Sequence, residues 1–179
     1  MRLLTPTLLM LLAAAPWAAE PPLVPGSPLP ALKGTDLAGR QVVLPDAARD
    51  RVAVILFGFS YASRTPVEAW AAHVRDQWGA DGRLAWYQVP MIGGFGRLAK
   101  PFITGGMRRE TPAQYHGNAV VVFGGVGGWK ERLTVKDDRT AHIVVLDREG
   151  IVRWRHAGDP DEVLAAELDA QLGQLLGSP

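Results

Sequence analysis

The chain has 179 residues, 19 Lys and Arg against 18 Asp and Glu for a formal net charge of +1, and no cysteine. Without a thiol it performs neither disulfide exchange nor cysteine-based peroxide reduction, and with no disulfide framework its stability must come from an apolar core. The balanced charge, with no run of Lys or Arg, argues against nucleic acid as a partner.

Met1-Arg2 precedes an apolar stretch from Leu3 to Ala15, interrupted by Thr5, Pro6 and Thr7 and followed by the small residues Ala18-Ala19. One positive charge before a short hydrophobic run is the outline of a secretory signal, and the run is shorter than the about 20 residues a membrane span needs. Residues 1–19 are therefore expected to be a signal peptide and the remainder to be exported to the periplasm or cell envelope, a location compatible with peripheral membrane association. Residues 20–35 are Pro-rich and expected to be extended, leaving 36–177 as one domain.

Within that domain Gln41 to Leu44 predicts a short strand, and the apolar run Val52 to Phe59 predicts a strand buried on both faces of a sheet. Thr65-Pro66 marks a helix start, with Trp70, Val74 and Trp78 forming one apolar stripe before Gly79. Leu84 to Val89 is the next strand, expected to stop at Pro90, and a helix follows around Arg97 to Arg109. Ala119 to Phe123 predicts another buried strand. Gly124 to Gly128 then suggests a loop and Trp129 to Leu133 a short helix. His142 to Leu146, a polar turn at Asp147 to Gly150, and Ile151 to Arg155 make a β-hairpin signature. Asp159-Pro160 opens a last helix with Val163, Leu164, Leu168, Leu172 and Leu175 on its apolar side. The order predicts an α/β fold: a central mixed sheet finished by a C-terminal β-hairpin, with helices on both faces.

The segment Phe57-Gly-Phe-Ser-Tyr-Ala-Ser-Arg-Thr-Pro66 resembles the strand-to-helix turn of the thioredoxin-like superfamily, where redoxins place a cysteine at a helix N-terminus. Against the peroxiredoxin pattern Ser63 stands where the attacking cysteine would be. Against the copper chaperones of cytochrome oxidase assembly, Ala62 and Pro66 replace the two metal-binding cysteines. The proline that precedes the hairpin strand in thioredoxins is also missing, with Thr140-Ala141 in that stretch. Within the superfamily the chain is similar to the thioredoxin-like assembly factor of mitochondrial ATP synthase and its bacterial relatives. That resemblance covers about residues 36 to 175 and rests on the Trp-containing helix from Arg64 to Trp78, on Met107-Arg-Arg-Glu-Thr-Pro112, and on the ending Ala141 to Gly158. It implies a thioredoxin-like fold and a non-catalytic chaperone whose partner is a protein, such as a subunit of a membrane complex.

The expected partner-binding residues lie on loops at the carboxyl ends of the strands, where open α/β sheets place their sites: Tyr61, Ser63 and Arg64, then Phe95 and Arg97, then Trp129. The rival reading is an enzyme or a ligand or metal carrier that uses Ser63, Arg64 and a histidine there. Ser63 lacks a Gly-x-Ser-x-Gly elbow and reads more simply as a turn residue. His73, His116, His142 and His156 stand at no metal-ligand spacing, so neither a metal nor another cofactor is expected; a site assembled in space from His116 and His142 is the alternative. Gly93 to Arg97 could form an anion nest, although such glycines more often mark loops with positive φ. Gly124 to Lys130 lacks the Gly-Lys-Ser/Thr of a P-loop. Arg108-Arg109-Glu110 reads as a solvated helix face.

Overall fold

A computed structural model describes residues 20–177; of Phe95 and Arg97 it describes the backbone alone. The expected signal peptide, 1–19, lies outside the described residues. Seven strands form one sheet in the order β2-β1-β5-β4-β3-β6-β7. β1 (Leu32–Asp36) and β2 (Gln41–Leu44) are an antiparallel pair at one edge. β3 (Val52–Gly58), β4 (Leu84–Ile92) and β5 (Val120–Phe123) run parallel through the middle. The antiparallel hairpin β6 (His142–Leu146) and β7 (Val152–Ala157) closes the other edge against β3.

β3 shows why the continuous apolar run becomes a central strand. Side chains alternate across a strand, so Ala53, Ile55 and Phe57 enter one core layer and Val52, Val54 and Leu56 the other. The second layer is covered by α1 (Arg64–Trp78), through Val67, Trp70 and Val74, and by α4 (Glu162–Gly177), through Leu168, Leu172 and Leu176. Asp169 couples these two helices: its Oδ1 lies 3.0 Å from His73 Nε2 and accepts the Trp78 indole N–H at 2.6 Å. The first layer is covered by α3 (Val126–Leu133) and by the N-terminal segment, with Leu23 and Leu29 buried. α2 (Lys100–Glu110) stands at the end of the sheet and has no fully buried side chain.

The hairpin turn is set by Asp147. Its Oδ1 accepts the N–H groups of Glu149 and Ile151, and its Oδ2 accepts Arg153 Nε at 2.6 Å. An Asx side chain mimicking a backbone acceptor is the usual way a short polar turn is locked.

Several details differ from the sequence reading. β1 begins within the Pro-rich segment, because Leu32 buries beneath the sheet and the backbone pairs with β2 and β5. β4 passes through Pro90 to Ile92; pairing with β3 ends at Pro90 and the β5 ladder begins at Met91, so the missing N–H falls at the handover. α1 starts one residue earlier than its Thr-Pro signal, at Arg64 after Ser63. α3 takes in Gly127 and Gly128, which the glycine content assigns to a loop; Gly125, at φ 65°, turns the chain into the helix, and the burial of Trp129 and Leu133 overrides the weak helical preference. Val163, expected on the apolar side of the last helix, is 68 % exposed because it lies in the first turn.

Candidate functional site

At the carboxyl ends of the parallel strands lies a cleft of ≈ 590 Å³ bounded by the end of β3, the turn into α1, the end of β4 and the inner face of α2. Its walls are mostly apolar: Phe59 and Val67 on one side, Pro90, Met91 and Ile92 at the base, and Ile103 and Met107 on α2. The turn that shapes it is held by two serines. Ser63 Oγ donates to the Ser60 carbonyl at 2.7 Å and accepts the Ser60 N–H at 3.2 Å, while Ser60 Oγ donates to the Asp138 carbonyl at 2.8 Å. Gly58 makes room for this lock, since a Cβ there would meet Ser63 Oγ at 2.8 Å and Val67 Cγ2 at 3.3 Å.

Across the mouth, Arg64 joins α1 to α2, donating Nε to Glu68 at 2.7 Å and NH1 to Glu110. The hydrogen bond to Glu68, and then that to Glu110, raise the Arg64 pKa above the ordinary arginine range, so this cation is permanent. The rim otherwise carries exposed apolar groups. Tyr61 is 86 % exposed and Phe102 80 %, two of the five large hydrophobic residues the described surface leaves open. Isolated exposed apolar residues are ordinary, but two on the rim of one apolar cleft mark an interaction surface.

The sequence-predicted site residues separate in this geometry. Tyr61 and Arg64 stand at the rim. Ser63 lines the cleft through an almost fully buried side chain whose hydroxyl is turned into the Ser60 turn, so it offers a partner no exposed surface. The backbone of Phe95 and Arg97 forms a 3-10 turn, Gly94–Arg97, leading into α2, while their side chains lie outside the described residues. Trp129 does not belong to the site: it is buried and stacks on Phe57 at 5.4 Å, and the loop from Gly124 to Lys130 does not line the cleft. Arg108, Arg109 and Glu110 are exposed, as expected of a solvated helix face, and Arg108 also donates Nε to the Leu37 carbonyl at 2.7 Å. Sequence reasoning missed Phe102, Ile103 and Met107. Their helical spacing was the available signal, but that pattern reads as an ordinary core-facing stripe when nothing shows that α2 caps a cleft.

Nor do the histidines converge. No histidine is among the described residues that line the cleft. His116 has its Nε2 2.9 Å from the Thr111 carbonyl, whereas His142 stands on β6 opposite Phe57 of β3. His142 is 3 % exposed, packs edge-on to Phe59 with ring centroids 5.8 Å apart, and its Nε2 has no hydrogen-bond partner. Desolvation, reinforced by the charge of Arg155, pushes its pKa down to about 4. Among the described residues no group of three or more His, Cys, Asp or Glu is placed to hold a metal ion.

No protein-family model and no curated protein matches the chain. Solved structures do. A member of the Sco family of cytochrome c oxidase assembly proteins, BsSco, superposes with a TM-score of 0.60 at 8 % identity, covering 88 % of this chain and 98 % of its own. The exposed lipoprotein thioredoxin Etrx1 of Streptococcus pneumoniae gives 0.59 at 15 % identity, covering 82 % and 100 %. The thioredoxin domain of a thiol-disulfide oxidoreductase of Bacteroides vulgatus gives 0.57 at 19 % identity, covering 84 % and 99 %. At these identities the likeness establishes the thioredoxin-like fold, as expected from the turn and the hairpin, while the cysteine-free sequence lacks the thiols that disulfide interchange requires.

Proposed function

We propose that this protein is a redox-inactive thioredoxin-like binding protein that holds an apolar segment of a partner polypeptide, acting as an exported assembly factor for a membrane protein complex. One observation carries the reading: the place where redoxins do their chemistry is here an apolar cleft rimmed by exposed Tyr61 and Phe102. Its occupant is a polypeptide with bulky apolar side chains, because the methionines and aliphatics of the walls adapt to varied apolar shapes while the aromatic rim supplies anchoring area. The ionised side chains in the lining, Arg64, Glu68 and Glu110, are engaged with one another. They therefore fit a rim that orients a peptide better than a centre that moves protons. An enzymatic use of Ser63 lacks a base, since its hydroxyl proton is donated to a backbone carbonyl. The N-terminal sequence supports the exported location.

The test is a photo-crosslinking experiment with a benzophenone amino acid at Tyr61 in cells, followed by identification of the adduct. A subunit of a membrane complex, crosslinked by the native rim and diminished about 100-fold or more in binding by Phe102→Ala with Ile103→Ala, is the expected outcome. Undiminished crosslinking in that variant, or no protein adduct at all, overturns the proposal.

A further inference from the structure

At the other end of the sheet a second, shallower cavity of ≈ 870 Å³ opens between the β1–β2 turn, the start of β3, the end of α1 and the segment leading into β5. Its character is the reverse of the cleft's. Arg40, Arg51, Arg75 and His116 line it, and no carboxylate is among its described lining residues. These three arginines come from separate parts of the chain, so their sharing one cavity is a product of the fold and not of one helix face.

Each is also held in place. Arg40 donates Nε to the buried Asp36 at 2.7 Å, and its NH2 lies against Gly117, 2.5 Å from where a Cβ would stand. Arg75 lies over the Tyr115 ring at 5.5 Å, with its Nε on Asp76 at 2.9 Å. Arg51 donates to the Ala47 carbonyl at 2.9 Å and has no carboxylate partner among the described residues. These contacts engage one edge of each guanidinium. Positioned Arg forks are the arrangement that recognises phosphoryl and carboxylate oxygens, and fixing them beforehand lowers the entropy lost on binding.

We propose that this cavity binds a multiply charged phosphoryl anion. Three guanidiniums around one concavity are matched by a ligand carrying several negative charges, which a single carboxylate does not, and the volume exceeds that of one phosphate group. The same chemistry is offered by a soluble diphosphate and by a phosphomonoester lipid headgroup, and the experiment separates the two.

Purified protein is titrated calorimetrically with inorganic pyrophosphate at low ionic strength, and sedimented with vesicles of phosphatidic acid in phosphatidylcholine. Binding to pyrophosphate, to the vesicles or to both is expected, weakened by added salt and about tenfold by either Arg51→Gln or Arg75→Gln. Arg40→Lys keeps the charge but loses the fork, and it too weakens binding; Arg49→Gln, whose partner Asp46 lies outside the cavity, leaves it unchanged. Pyrophosphate binding identifies a soluble ligand, and vesicle binding alone a lipid headgroup. Amide shifts on the native protein at Gly117 and Asn118 locate the site without relying on any variant. Absence of binding to both probes, or binding indifferent to Arg51→Gln and Arg75→Gln with no shift at Gly117, overturns the proposal.

Discussion

Replacing His142 by leucine removes a titrating group from the core and should flatten the acid limb of the protein's stability. The imidazole is 3 % exposed, its Nε2 is unpartnered, and burial has lowered its pKa from 6.5 to about 4. Because the folded pKa lies below the unfolded one, the unfolded chain binds more protons between about pH 4 and 6.5, and stability falls as pH falls through that window. At about 1.4 kcal/mol per pKa unit, the shift amounts to about 3 kcal/mol lost between neutrality and pH 4. Asp81 and Asp137, both lowered to about 2 chiefly by their hydrogen bonds to Arg83 and Arg139, stay ionised over most of that window and are common to both proteins. Urea unfolding followed by tryptophan fluorescence, at about pH 7 and about pH 4, gives the four stabilities needed. Native protein should lose about 3 kcal/mol more than His142→Leu. Equal losses would refute the reasoning, and would mean that the ring finds a proton-sharing partner in the acid form.

Two further predictions concern stability. Trp129→Ala should destabilise the fold by about 3 to 5 kcal/mol in urea unfolding, because the ring is stacked on Phe57 in the core; Tyr61→Ala, at an exposed rim position, should change it by less than about 0.5 kcal/mol. Asp169→Ala should cost about 1 to 3 kcal/mol in the same assay, since it leaves the part-buried Trp78 indole N–H without its acceptor and uncouples α4 from α1. A neutral result there would mean that the two helices are held by their leucine and tryptophan contacts alone.

The sheet was legible because its strands announce themselves locally. Val52 to Gly58 is apolar without interruption, and the Asp147 turn with its flanking β-branched runs predicts a hairpin whether or not the rest of the fold is known. The position of the cleft was legible for the same reason, since the turn from Phe57 to Pro66 carries both the end of a buried strand and a helix start. What escaped depended on partners distant in sequence. Trp129 sits among glycines and reads as a loop aromatic, but its exposure is decided by Phe57. Ser63 reads as a surface turn residue until Gly58 and Ser60 are seen to close around it. Pro90 normally ends a strand, and it passes here because two ladders change over at that residue. Arg40, Arg51 and Arg75 are scattered charges in the sequence and line one cavity only once the β1–β2 turn, the start of β3 and the end of α1 are brought together.

α2 closes the cleft without contributing a single fully buried side chain to the core. It is tied down by Met107 against Leu37, Ala119 and Val121, by Arg108 on the Leu37 carbonyl and by Glu110 on Arg64, so the wall is fastened at its carboxyl end while the sheet beneath is packed throughout. In the role proposed above, a wall of that kind grips by total apolar area more than by matched shape. Discrimination between sequences of similar bulk should in that role be shallow, with selectivity set chiefly by which hydrophobic segments are left uncovered, and for how long, before their own complex buries them.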